Sequence, residues 1–508
     1  PLGPSRMKLE DTFNFWLPED WRSGNVTLQA EIDPHGDVHE FNLNNNALSV
    51  TRTFHDKKPL CVEMVSVRTD PQTATASDPG FVDIVDWLRV AFPVPKVLID
   101  VGGTIEETQV CFFGPIPYPC GGPYEIPSDA NKVVARLGWY DLWHSHNAWE
   151  QCGKAHFFGM IHPSETASGG LGRRPGHQAW GVMNVDPTFG GFDKDFSWYL
   201  PHGGSTLAHE LGHNNGRKHV DCGGPDGTDK DYPYNPCNIG PGFPGTEFGF
   251  DYMDDAVINP FEAADLMSYG PSAGKPRWPS SYTYEAIFDK INDAAAQSAA
   301  MPGSPQLGSL AKAVLEADEV LAIAGVITPT AGTGTLNGGY RLPDGLVADE
   351  KLAKLSESVE PGSVVTYSLR LLDASDGILL EQGFQPPVTE DVAGEQDTFL
   401  MLTDYMTDTA HVALYAGETE LTRKEVSPSS PEVTVLEPNG GESYAGTFTV
   451  TWQAEDQDGD DLLYTIQYSP DDGDTWQVMA TEHYTTFLAV EDSGHLPGGG
   501  DALVRVIA

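Results

Sequence analysis

Residues 209–219 read His209-Glu210-Leu211-Gly212-His213-Asn214-Asn215-Gly216-Arg217-Lys218-His219, and their spacing decides how the surrounding chain should fold. On an α-helix, His209 and His213 lie one turn apart on the same face, so both imidazoles can reach one cation. Glu210 sits beside the first ligand, close enough to touch a water on the metal without binding the metal itself. Gly216 is expected to end the helix, because glycine adopts left-handed backbone angles without a steric penalty. The turn then returns the chain so that His219 supplies a third nitrogen. Three neutral histidines with a fourth position open suit Zn²⁺ in a hydrolytic rather than a structural site. HExxH alone arises by chance in long chains, whereas the extension through Gly216 to His219 is far more restrictive.

A second element lies downstream, Asp265-Leu266-Met267-Ser268-Tyr269-Gly270. An HExxHxxGxxH helix followed by a methionine turn resembles the metzincin metalloendopeptidases. The resemblance spans roughly residues 60–298 by element order and is specific at 209–219 and 265–270. Asp221-Cys222-Gly223-Gly224 and Lys275-Pro276-Arg277-Trp278 are similar to large secreted bacterial members, the mucin-cleaving ones among them. It implies zinc held by His209, His213 and His219, with Met267 as an apolar floor beneath the metal. It also implies peptide hydrolysis with Glu210 as general base and then acid, and with Tyr269 donating to the oxyanion. In that family an edge strand preceding the zinc helix pairs with the substrate backbone, which points here to 178–185, including Ala179, Trp180, Gly181 and Val182. The zinc helix itself is expected to start near Ser205 or Thr206, either of which can cap it after Gly203-Gly204.

Composition limits the partners. A formal net charge of −45, from 74 acidic against 29 basic residues, disfavours nucleic acid and anionic membranes and suits a soluble, salt-tolerant surface. No apolar run reaches the roughly 18 residues that a membrane-spanning helix requires. The six cysteines, at 61, 111, 120, 152, 222 and 237, show no CxxC spacing and read as disulfides of an extracellular or cell-surface protein. Six cysteines allow fifteen pairings. Cys222 and Cys237 bracket a loop rich in Gly, Pro and Asp, which a bridge would hold beside His219.

Four segments follow from the distribution of strands, helices and breakers: 1–57, 58–300, 309–427 and 431–508. The first shows strand runs at 12–16, 25–32 and 47–54 and resembles part of an adhesion-type immunoglobulin-like module whose start lies outside this sequence. The second alternates strands at 61–67, 97–101 and 155–161 with helices over 81–92 and 131–149, and closes with a helical stripe at Tyr284, Ile287, Phe288 and Ile291. Met301-Pro302-Gly303-Ser304-Pro305 is a linker by composition. The last two segments read as a β-sandwich and an immunoglobulin-like module that stops within a strand. The expected class is therefore multidomain, an α/β metzincin-type catalytic domain flanked by all-β immunoglobulin-like sandwiches.

Ca²⁺ is a second candidate ion, at Asp456, Asp458 and Asp460 or at Asp221, Asp226, Asp229 and Asp231. The substrate expected from the resemblance is a protein or glycoprotein, with the β-modules contacting glycans or a cell surface. Two other classes fit less well. An inactive adhesion protein on this scaffold would be expected to lose a ligand or the glutamate, and both are retained. A metal-dependent amidase or glycan hydrolase lacks a reason for the methionine turn.

Overall fold

The computed structural model describes most of residues 16–508, apart from 145–151, 153–154, 164–168, 184–201, 242–246, 297–318, 348–366, 390–395 and a few shorter gaps. Much of the expected 12–16 strand and the 301–305 linker lie outside the described residues. The chain divides into two units, Pro1–Lys58 and Pro59–Ala508. In the first, β1 (Gly24–Glu31) and β2 (Ala47–Phe54) form an antiparallel ribbon in register from Gly24↔Phe54 to Glu31↔Ala47. Leu48 and Val50 are exposed on it.

The second unit begins with β3 (Leu60–Val67), α1 (Phe81–Ala91), β4 (Val97–Ile105), the hairpin β5 (Glu107–Phe113) and β6 (Ile116–Gly122), α2 (Ala130–Trp143) and β7 (Ala155–Ile161). Next come β8 (Gly170–Arg174), β9 (Gln178–Val182), α3 (His202–Asn214), β10 (Gly249–Asp251), β11 (Ala256–Ile258), β12 (Ala264–Asp265), β13 (Arg277–Trp278) and α4 (Ser281–Ala296). α2 stops short of the expected 149 because its cap residue, His144, is already extended.

Further along lie β14 (Glu319–Thr328), β15 (Thr333–Pro343), β16 (Tyr367–Leu372), β17 (Ile378–Phe384), β18 (Val388–Thr389), β19 (Asp397–Asp404), β20 (His411–Ala416) and β21 (Thr419–Glu425). The final strands are β22 (Glu432–Glu437), β23 (Phe448–Glu455), β24 (Tyr464–Ser469), β25 (Gln477–His483), β26 (Phe487–Val490) and β27 (Leu503–Ile507). The protein is β-rich, built of several separate sheets.

The largest sheet runs β18-β8-β9-β7-β3-β4. β4, β3, β7 and β9 are mutually parallel, β8 is antiparallel to β9, and β18 is antiparallel to β8. Strands buried on both faces are largely apolar, and β3 is buried at every position, with Glu63 and Ser66 its polar residues. On one face α1 and α3 share a core with Met64, Phe158, Ala179, Leu211 and Met267. On the other, α2 packs Val133, Leu137 and Trp143 against Val65, Phe157 and Trp180.

That second core continues into the downstream strands. Val320, Ala322 and Ala324 of β14 join it, while the alternate residues Leu321 and Ile323 face a separate core with Leu369, Phe399 and Leu414. β14 is free of polar side chains from Val320 to Ile327 for this reason, since successive side chains point to opposite faces. The sheets β15-β14-β19 and β17-β16-β20-β21 enclose the separate core. The sheets β22-β23-β26 and β25-β24-β27 enclose a smaller one around Val450, Trp452, Tyr464 and Ile466. Arg136 of α2 pairs with Glu482 at 2.5 Å and donates to the Thr481 carbonyl at 3.0 Å, joining these strands to the helix. Among the described residues, no helix is long and apolar enough to cross a membrane.

Two expectations need correction. Residues 178–182, expected as an edge strand, form β9, which is hydrogen-bonded on both sides, to β7 and to β8. Ala179, Trp180, Gly181 and Val182 therefore have no free backbone edge for a peptide, and the strand outside them is β8. The helix that carries His209 and His213, α3, starts at His202, earlier than Ser205 or Thr206. Gly204 is no breaker there. A Cβ on it would lie 2.7 Å from Trp87 Cβ and 3.1 Å from the Ile84 carbonyl, so its bare backbone lets α3 approach α1.

Candidate metal centre

α3 carries His209, Glu210 and His213 and ends where the sequence requires. Gly216 has φ +84°, its amide donates to the His213 carbonyl at 2.8 Å, and the Arg217 amide donates to the Gly212 carbonyl at 3.0 Å. This paired bonding satisfies carbonyls that the last helical turn would leave open. The reversal brings His219 back over the helix.

The three rings converge. His213 Nε2 lies 3.1 Å from His209 Nε2 and 3.1 Å from His219 Nε2, and all three side chains are buried. Each opposite nitrogen meets a backbone carbonyl: His209 Nδ1 at Leu266 O (2.7 Å), His213 Nδ1 at Arg217 O (2.8 Å) and His219 Nδ1 at Asp226 O (2.9 Å). A carbonyl only accepts, so each Nδ1 carries the proton and each Nε2 presents a lone pair. Three buried lone pairs facing one another repel unless a cation lies between them. Tetrahedral Zn²⁺ with bonds of about 2.0–2.1 Å spaces its nitrogens by roughly 3.3 Å, close to what is found. The donor set fits the ion.

The segment 265–270 holds this arrangement in place. Met267 is fully buried, and a Cβ on Gly212 would meet its sulfur at 2.3 Å, so the methionine packs directly against the helix between the two ligands. Its carbonyl accepts the Val220 amide at 2.8 Å, just after His219. Asp265 shapes the turn, with Oδ1 accepting from the Met267 amide (2.8 Å) and Thr283 Oγ1 (3.0 Å) and Oδ2 accepting from the Ser280 amide (3.1 Å). Burial pushes its carboxyl above the usual range against the pull of those bonds. The Tyr269 ring lies 5.1 Å from that of His219 and 6.3 Å from that of His209, centre to centre. Its amide donates to the Cys222 carbonyl at 2.9 Å, and Cys222 is bridged to Cys237. A second disulfide joins Cys61 to Cys152. The side chains of Cys111 and Cys120 lie outside the described residues.

Glu210 is buried and lies beneath β8. A Cβ on Gly170 would meet Glu210 Oε1 at 2.7 Å, and one on Gly172 would meet the Glu210 carbonyl at 2.8 Å. Asn214 joins helix and strands. Its Nδ2 donates to the carbonyls of Arg173 and Gln178, both at 3.0 Å, which leaves its Oδ1 to accept from His156 Nδ1 at 3.1 Å.

Several contributors carry no site role in the sequence pattern. Gly170 and Gly172 could have been found from their alternation, which marks a strand crossed closely by another chain segment. Arg277 donates to the Ser268 carbonyl at 2.7 Å, and burial pushes its guanidinium down to about 10 against the favourable field of the Glu210 carboxylate. The three carbonyls behind the histidines have no side-chain signature at all.

The calcium candidates look different. Asp456, Asp458 and Asp460 place carboxylate oxygens within 4.8 Å of one another, but Asp456 accepts the amides of Asp458 and Asp460, and Asp458 accepts from Ser427 and Ser429. Asp229 pairs with Arg217 at 3.2 Å and accepts from the Tyr282 hydroxyl at 3.0 Å. No known family model matches the chain, and no curated protein is significantly similar to it.

Proposed function

We propose that residues 59–296 form a metzincin-type zinc endopeptidase. The observation that carries this reading is the buried convergence of His209, His213 and His219 Nε2, each ring fixed by a carbonyl at its other nitrogen. When bound there, zinc supplies Lewis acidity, which polarises a scissile carbonyl and acidifies a water.

The chain's own residues do the rest. Glu210, next to one ligand and buried under β8, takes the proton of the attacking water and passes it to the departing amine. Tyr269, beside the rings of His209 and His219, donates a hydrogen bond to the oxygen that gains charge in the transition state. β8, rather than 178–185, offers the peptide backbone an antiparallel partner over Glu210. In this reading the downstream sheets are immunoglobulin-like modules of an extracellular protein, and the substrate is a protein or glycoprotein.

Purified without chelator, the protein is expected to hold about one zinc per chain. X-ray absorption at the zinc edge should report three imidazoles and one lighter ligand. Zinc bound elsewhere, or none bound with micromolar metal supplied, would remove the basis of the reading.

A further inference from the structure

β8 turns alternate residues to its two edges, and this determines what a bound peptide can reach. The Gly169 carbonyl accepts the Val182 amide of β9 at 3.0 Å. In an antiparallel ladder both backbone groups of a residue face the same edge, so 169, 171 and 173 face β9 while 170, 172 and 174 face outward. Of the outward residues, Arg174 is already taken, because β18 pairs with β8 in the register Val388↔Arg174 and Thr389↔Arg173. The Thr389 amide accordingly points elsewhere, to Asp397 Oδ1 at 3.3 Å. Among the described residues, no strand pairs with the outer edge of Gly170–Gly172. These are the two glycines lying against Glu210.

β18 is held firmly. Thr389 Oγ1 donates to the Gln396 carbonyl at 2.8 Å, and buried Thr398 Oγ1 of β19 accepts from Arg173 Nε (3.1 Å) and Nη2 (2.8 Å). Arg173 also donates to Gln178 Oε1 at 3.0 Å. The downstream β-region is thus bound to β8 through both backbone and side chain, immediately beside the candidate active site.

We propose that β18 is a built-in stop on the substrate cleft, occupying the ladder position into which the upstream part of a bound peptide would otherwise extend. The inference rests on the peptidase reading. A peptide antiparallel to β8 runs from the Arg174 end toward the Gly170 end, so residues upstream of the scissile bond point at β18. Pairing through Gly170 and Gly172 alone spans about three peptide residues, since successive bonded positions are two residues apart. The enzyme therefore reads a short upstream segment and accepts chains that turn away beyond it.

The test uses the zinc-loaded full chain and peptides sharing one cleaved core, lengthened stepwise from two to eight residues upstream or downstream. For the parent, kcat/KM should stop rising by the third upstream residue at the latest, because the paired span holds about three residues in all, and stay within about twofold beyond it. The Val388→Pro variant removes the amide that faces Arg174. It should cleave the shortest peptides within about twofold of the parent yet gain about fivefold or more from long upstream extensions, with faster hydrogen exchange at the Arg174 amide. A parent whose kcat/KM keeps climbing to eight upstream residues overturns the stop, and that result needs no variant. Continued plateau in the variant, once exchange at Arg174 shows the strand released, overturns it too. If the zinc-loaded parent cuts no peptide of any length, the peptidase reading fails and this inference falls with it.

Discussion

Gly172→Ala tests how closely β8, the proposed substrate edge, lies over α3. The added Cβ would sit 2.8 Å from the Glu210 carbonyl, 3.2 Å from Glu210 Oε2 and 3.2 Å from His213 Cβ. A carbon normally approaches a carbonyl oxygen no closer than about 3.3 Å, so the overlap is about half an ångström. The struck atom belongs to a helix backbone fixed by its own bonds, and β8 must move. Overpacking of this kind costs about 1–3 kcal/mol, offset by about 0.5–1 kcal/mol from replacing glycine inside a strand. The net loss is centred on about 1 kcal/mol, a melting shift of a few degrees for a unit this large. If β8 orients the peptide as proposed, kcat/KM should fall about 10- to 100-fold. Gly338→Ala in β15, where nothing lies within 4 Å of the new carbon, is the control and should leave turnover unchanged while gaining the about 0.5–1 kcal/mol that comes from replacing glycine inside a strand. Calorimetry with excess zinc and a peptide-cleavage assay read the two effects. Equal melting of the two variants, with parent-like turnover in Gly172→Ala, would refute the placement of β8 over Glu210.

Tyr269→Phe should retain zinc and fold while kcat falls roughly 10²–10³-fold, as for loss of one oxyanion donor. KM should change far less, and parent-like turnover would make Tyr269 a packing residue. Replacing Cys222 and Cys237 together by serine opens a bridge between positions 15 apart, which should cost about 3 kcal/mol through the unfolded chain. Zinc retention should weaken as well, because the Cys222 carbonyl holds Tyr269 and the neighbouring loop holds His219. An unchanged melting temperature in the double variant would contradict this.

The histidine cluster on and after α3 was legible because its information is local. Two imidazoles one turn apart, a glycine at a left-handed turn and a returning histidine are all settled within eleven residues. β3, α1, β4, β7 and α4 were legible from apolar periodicity for the same reason. What failed depended on neighbours far along the chain. Gln178–Val182 looked like an edge only while its outer partner was unknown, and the strand that covers it, Gly-Leu-Gly-Arg-Arg, is poor in apolar residues because Glu210 lies against its glycines. Gly203-Gly204 looked like a helix breaker, and the compensating contact with Trp87 comes from α1. The pairing of Cys61 with Cys152 and of β18 with β8 could not be read from any window, since each joins segments that only the sheet order brings together.

The most direct test compares the zinc-loaded parent with Glu210→Gln at equal metal content, both incubated with denatured protein and with mucin-type glycoprotein, followed by mass spectrometry of newly formed α-amino termini. The account predicts new termini with the parent, their loss on chelation and return with zinc, and almost none with Glu210→Gln, because the carboxylate acts on water and not on the metal. A fully zinc-loaded parent that generates no new termini, or a Glu210→Gln variant that generates them at the parent rate, would contradict it.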